Sequence, residues 1–209
     1  MLRYVRRFYS CRYQGFSLLE TVIAIAILGL IILAVGLFQG NIFRFNTTLN
    51  NQLTGQFESR QAIEKIIAEA RVAATAGNGA YPLESVLDSS LIFYSNVDSD
   101  TGIERIRYFV SGTTLRRGII EPVGSPVTYP SANETITTIL NNLVNGATPV
   151  FSYYNTNYSG IEAPLSQPVD ARVVRFLTVT LIVDKDLTRP PAALQTRSGI
   201  NLRNLKDNL

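Results

Sequence analysis

The chain has 209 residues, 46% of them hydrophobic, with a formal net charge of +3 and neither histidine nor tryptophan. The missing histidine removes the commonest general base and the commonest metal ligand, and no other catalytic set stands out, so no enzyme activity, cofactor or metal is expected. The one cysteine, Cys11, cannot form an internal disulfide, so packing alone must hold any exported domain together.

The basic balance is local. Arg3, Arg6, Arg7 and Arg12 precede Phe16 and no acid does, so of 19 basic residues 15 remain beyond this point against 16 acidic ones. A charge bias confined to residues 1–15 speaks against a nucleic-acid surface. It fits the positive-inside rule, which keeps the leader in the cytoplasm and sends the remainder outward. Two adjacent arginines, Arg6 and Arg7, are weak support for a twin-arginine export signal.

Residues 16–38 form an apolar run of 23 positions in which Glu20 is the only charge. At about 1.5 Å per residue such a run crosses the ~30 Å hydrocarbon core as one helix. A secretory signal cut after Ala34-Val35-Gly36 is the competing expectation, but its apolar core would be long and would contain an acid. An ionised carboxylate in a bilayer costs on the order of 2.5 kcal/mol or more, so Glu20 calls for a partner.

Helical spacing continues through Ile42, Phe45, Leu49, Leu53, Phe57, Ile63, Ile66, Ile67, Ala70 and Ala74. One long helix is therefore predicted over 16–76, transmembrane over about 16–38, with bends plausible at Gly40 and Gly55 and an end at Gly77-Asn78-Gly79. From residue 77 a β-rich head is expected. Runs at 91–96, 104–110 and 114–119, separated by turn residues, predict an antiparallel meander in which Arg105 and Arg107 share a solvated face opposite Ile106, Tyr108 and Val110. Arg116 and Arg117 are assigned to the same solvated cluster, rather than to phosphate binding. Ser131 and Glu134 have capping-box spacing and predict a short helix over 136–144. The β-branched run 172–184 predicts a central strand, ended by the Arg189-Pro190-Pro191 segment, with a return strand over 198–205. Asp98 and Asp100 suggest calcium less than a turn, Asp184 and Asp186 suggest strand-ending charges, and Tyr153, Tyr154 and Tyr158 suggest half-buried strand aromatics before a contact loop.

The segment Gln14-Gly15-Phe16-Ser17-Leu18-Leu19-Glu20 lies between the basic leader and the apolar helix. It resembles the cleavage and methylation signature of type IV pilins and type II secretion pseudopilins. The resemblance implies that a membrane prepilin peptidase cuts between Gly15 and Phe16 and N-methylates Phe16, and that Glu20 acts in assembly. Gln14 stands where the family commonly has a base, and the proline that many major pilins carry in this helix is absent. Cleavage would free an ammonium on Phe16 that a neighbouring subunit's Glu20 can pair with, offsetting both desolvation costs and setting the stagger between helices. The implied fold is α+β and pilin-like, a long helix packed on an antiparallel sheet head.

Residues 106–118, 150–155, 173–184 and 200–205 resemble, in order, the heads of J-type minor pseudopilins and similar minor pilins. This implies a subunit at or near the tip of a short filament. Its partners would be prepilin peptidase, other pilins or pseudopilins, an inner-membrane assembly platform and membrane lipid, with no nucleic acid expected. The location implied is a single pass of the cytoplasmic membrane with the head outside. The alternatives are an adhesive or DNA-contacting tip pilin, and a membrane-anchored or secreted domain of other function.

Overall fold

The computed structural model describes residues 15–98, 100–187 and 193–202, and the chain divides into two compact units, residues 1–47 and 48–209. Residues 1–14, the Arg189-Pro190-Pro191 segment and residues 203–209 lie outside the described residues. Among the described residues the architecture is α+β: one α-helix, α1 (Leu18–Arg71), followed by eight strands. The first five, β1 (Leu83–Val86), β2 (Ser90–Ser95), β3 (Glu104–Ser111), β4 (Thr114–Ile120) and β5 (Thr135–Leu140), form an antiparallel sheet in sequential order. The last three, β6 (Phe151–Tyr154), β7 (Phe176–Val183) and β8 (Leu194–Asn201), form a second sheet with β7 in the middle. The head thus carries two sheets rather than one.

The central place expected for the β-branched run is taken by β7, which pairs with β6 and β8 and is buried at most positions. The sheets are tied by backbone bonds, Val150 and Phe151 N–H both donating to the Asp88 carbonyl, and by Tyr153, whose hydroxyl donates to the Leu87 carbonyl at 2.9 Å. Tyr153 and Tyr154 are core residues of β6, and Tyr158 packs on Tyr154 and Phe176 with ring centroids 4.0 and 4.7 Å away.

Within residues 48–71 the covered face of α1 is Gly55, Ser59, Ala62, Ile63, Ile66 and Ala70, spaced by three and four residues as helical geometry requires. Small residues begin this stripe because β7 passes close by: a Cβ on Gly55 would sit 3.7 Å from the Val183 and Lys185 side chains. The helix runs without interruption through Gly40 and Gly55. Leu53 and Phe57, counted above in the core stripe, are exposed, because the covered face is set a residue or two out of phase with them.

Two expectations fail, each for a tertiary reason. The helix stops at Arg71, well before the glycines, because the following backbone becomes an edge partner of β2: Ala73 bridges Ser95, and Ala74 N–H donates to the Tyr94 carbonyl at 2.9 Å. Ser95 Oγ donates to the Glu69 carbonyl at 2.9 Å, occupying an acceptor in the last helical turn. Gly77-Asn78-Gly79 instead makes the next turn, with Gly79 at φ +84°.

The second failure is the helix over 136–144, which is replaced by strand β5 after a 3₁₀ turn at Ser131–Asn133 that has no side-chain cap. Thr135-Ile136-Thr137-Thr138-Ile139 is a β-branched run, and the Glu134 carboxylate is taken by Arg107, with Nε at 2.8 Å and Nη2 at 2.5 Å. Gly118 makes room for this pair, since a Cβ there would overlap the Glu134 carboxylate.

The solvated arginine face holds only in part: Arg105 and Arg107 do lie opposite the buried Ile106 and Tyr108, but they are paired, and Arg117 is not solvated. Arg105 meets Glu84 through Nε and Nη2, both at 2.6 Å, Arg107 meets Glu134 and stacks 3.9 Å over the Phe109 ring, and Arg117 is buried beneath the helix. Burial pushes the Glu84 carboxyl up, but hydrogen bonds from Arg105 and Tyr94, with the Arg105 charge, outweigh this and hold it below its usual 4.5. A lowered acid pKa contributes stability that is present above the unfolded value and lost as pH falls through the folded one. Thermal unfolding at pH 5, 4 and 3 should therefore show wild type losing more stability than Glu84→Gln. Equal losses would mean that the pair contributes nothing through its charge.

Candidate functional site

The candidate site is the start of α1. Gly15, Phe16 and Ser17 precede the helix, and Ser17 is its N-cap: Oγ accepts from Glu20 N–H at 3.2 Å, and the carbonyl accepts from Thr21 N–H at 3.1 Å. Ser17 and Glu20 thus stand at N-cap and N3, the spacing expected of a capping box. This placement puts the only acid of the apolar run in the first turn, where aligned peptide dipoles favour negative charge by about 0.3–1 kcal/mol. This local support adds to the partner expected for Glu20 in a neighbouring subunit, and the Ser17-x-x-Glu20 spacing makes it legible in the sequence.

Around this carboxylate the helix surface is apolar and uncovered. Phe16 and Leu18 are 81% and 84% exposed, and Val22, Ile23, Leu30, Ile31, Leu37 and Phe38 are all exposed. Its mean hydropathy in the most apolar window is 2.9, long and apolar enough to cross a membrane. A face of this size is not left in water by a soluble domain. The chemistry available at this end is therefore recognition, with the Gly15–Phe16 peptide just ahead of the helix and one carboxylate four residues beyond Phe16.

The model of the prokaryotic N-terminal methylation motif matches residues 11–36. The motif supports the type IV pilin and pseudopilin superfamily. No curated protein matches the chain. Members of this superfamily are generally structural subunits, and the motif implies processing by prepilin peptidase and assembly with other pilins. The match begins before Gly15 and ends within the apolar helix, so it spans the Gly15–Phe16 junction, the N-cap and Glu20 together.

The other residues singled out in the sequence have structural positions. Asp98 and Asp100 do form a turn, with Asp100 N–H donating to Asp98 Oδ1 at 2.9 Å and Gly102 N–H donating to Asp100 Oδ1 at 2.6 Å. Asp184 Oδ1 accepts from Asp186 N–H at 2.9 Å just beyond β7.

Proposed function

We propose that this chain is a minor pilin or pseudopilin, a subunit at or near the tip of a type II secretion or type IV pilus-like filament. The observation that carries the reading is the methylation motif placed directly on an uncovered apolar helix whose first turn holds a lone glutamate. In this reading residues 1–15 are a leader removed by prepilin peptidase, Phe16 becomes the N-methylated terminus, and residues 16–38 cross the cytoplasmic membrane with the head outside. The ordered head patterns given above support a minor rather than a major subunit.

Glu20 acts in assembly by pairing with the Phe16 ammonium of a neighbouring subunit. The helix dipole offsets part of the cost of keeping it charged before a neighbour arrives, and the pairing makes up the rest. Glu20→Gln keeps shape and capping geometry but removes the charge. Intact mass should show that both wild type and variant start at Phe16 with one added methyl group, while crosslinking to partner subunits and recovery of sheared filaments or secreted cargo fall several-fold in the variant. A mature start at Leu37 would establish secretory cleavage instead. Normal crosslinking and output in Glu20→Gln would remove the carboxylate from the mechanism.

A further inference from the structure

Glu104 opens β3 with its residue fully buried, yet its Oε1 has no hydrogen-bond partner, while Oε2 accepts from Val97 N–H at 2.8 Å. Buried carboxylate oxygens are normally satisfied, so an orphan marks either a cost or a missing partner. The sheet register shows what lies around it. Arg105 stands opposite Ile120, so carrying the antiparallel register one residue further brings Glu104 beside Glu121, just past the end of β4. The turn between β2 and β3 adds Asp98, and one oxygen from each of Asp98, Glu104 and Glu121 lies within 4.8 Å of the others.

No described base pairs with this group. Among the described residues, Arg105, Arg107, Arg117 and Lys185 pair with Glu84, Glu134, Glu69 and Glu58, and none of the three clustered acids joins an ion pair. The turn is braced by backbone donors to Asp98 and Asp100, and by Asn96 Nδ2 donating to the Asp100 carbonyl at 2.8 Å. Gly102 keeps the space open, since a Cβ there would come within 2.9 Å of Asp100 Oδ1 and 3.3 Å of Glu104 Oε1. Burial, then the charges of Asp98 and Glu121, push the Glu104 carboxyl up, and burial, then Asp98 and Asp100, push Glu121 up, as crowded acids without a counter-charge behave.

We infer that Asp98, Glu104 and Glu121 form a calcium site, with buried Glu104 as the fixed inner ligand, Asp98 and Glu121 closing from the exposed side, and water completing the shell. Three oxygen ligands select a hard cation over zinc or copper. Calcium accepts oxygens at roughly 2.3–2.6 Å in flexible geometry, so ligands on opposite sides stand up to about 5 Å apart, whereas magnesium at roughly 2.1 Å needs a tighter octahedron. The inference is independent of the filament reading.

The test is calorimetric titration and thermal unfolding of the full chain in detergent micelles, stripped with chelator, with calcium chloride and magnesium chloride in parallel. The wild type should bind one calcium with a Kd on the order of 10⁻⁴–10⁻³ M, the range of extracellular modules. At about ten times that concentration Tm should rise by roughly 3 °C or more, and by less with magnesium. Glu121→Gln, at an exposed position, and Glu104→Gln should each weaken calcium binding at least tenfold, while Glu162→Gln, remote in sequence and exposed, should bind like wild type. The inference is overturned if calcium neither binds nor shifts Tm up to about 10 mM, or if magnesium binds as well. It is equally overturned if Glu104→Gln and Glu121→Gln retain wild-type affinity, or if Glu162→Gln loses as much as they do.

Discussion

Arg117→Ala should destabilise the head by about 3–5 kcal/mol, a large part of the ~5–15 kcal/mol that holds a typical domain together. Arg117 reaches Glu69 with both ends of its guanidinium fork, Nε at 2.9 Å from Oε2 and Nη2 at 2.8 Å from Oε1, and Tyr108 donates its hydroxyl to the same Oε2 at 2.7 Å. The two charged side chains are only 9% and 11% exposed, and Tyr108 is fully buried. Truncating the arginine leaves a carboxylate between helix and sheet with one neutral donor, and the desolvation already incurred is no longer repaid. Burial, then the Glu69 charge, push the Tyr108 hydroxyl well above its usual pKa, so the tyrosine stays a donor and cannot take over as counter-charge.

Thermal unfolding of the full chain in detergent, followed by circular dichroism, should show Tm lowered by roughly 6–20 °C, since 1 kcal/mol corresponds to about 2–4 °C at this size. Replacing the pair together, as Glu69→Leu with Arg117→Met, should recover most of the loss, because no charge is then left unpaired. A Tm change of a degree or two in Arg117→Ala would show that water reaches Glu69 and that the pair contributes as a surface pair does.

Phe93→Ala should cost a comparable ~3–5 kcal/mol, by a different mechanism. Phe93 is fully buried in β2, opposite Leu83 of β1 and Ile106 of β3, with its ring stacked on Tyr108 at 6.2 Å between centroids and 11° between planes. Truncation removes apolar area and leaves a void that neighbours on two flanking strands cannot fill without moving their ladders. It also removes an aromatic contact worth about 0.5–1.5 kcal/mol. Urea unfolding should show a lowered midpoint with an unchanged slope, and Phe93→Leu should lose much less. Because Phe93 packs on the tyrosine that donates to Glu69, the double variant with Arg117→Ala should deviate from additivity by at least about 0.5 kcal/mol. Strict additivity would mean that the Tyr108 hydroxyl is positioned by its strand alone.

How much of this was legible in the sequence depends on how far apart the deciding residues lie. The apolar run, the Gly15-Phe16 junction, Glu20 and its Ser17 cap are contiguous, and each rests on a local property: hydropathy, capping geometry or a short motif. The meander β2–β3–β4 and central β7 were likewise readable, because alternation and β-branching report strand character residue by residue. What failed was decided by partners distant in sequence. Glu134 had the spacing of a helix cap, and only the β3–β4–β5 register revealed that Arg107 takes its carboxylate and that the β-branched residues after it join a sheet. The helix end moved from the glycines to Arg71 because β2 offered an edge for Ala73 and Ala74. Arg117 stands next to Arg116 in a basic pair that reads as solvent-facing, yet it lies under the helix because Glu69, 48 positions earlier, waits there. Glu104 and Glu121 are 17 positions apart in sequence, and only the antiparallel register sets them side by side with Asp98. The sequence by itself determined the apolar segment, the methylation motif and most strands, since these depend on neighbours within a turn or two. The tertiary structure decided charge pairing, element ends and the acidic cluster, since a charge's environment is set by whatever the folded chain brings against it.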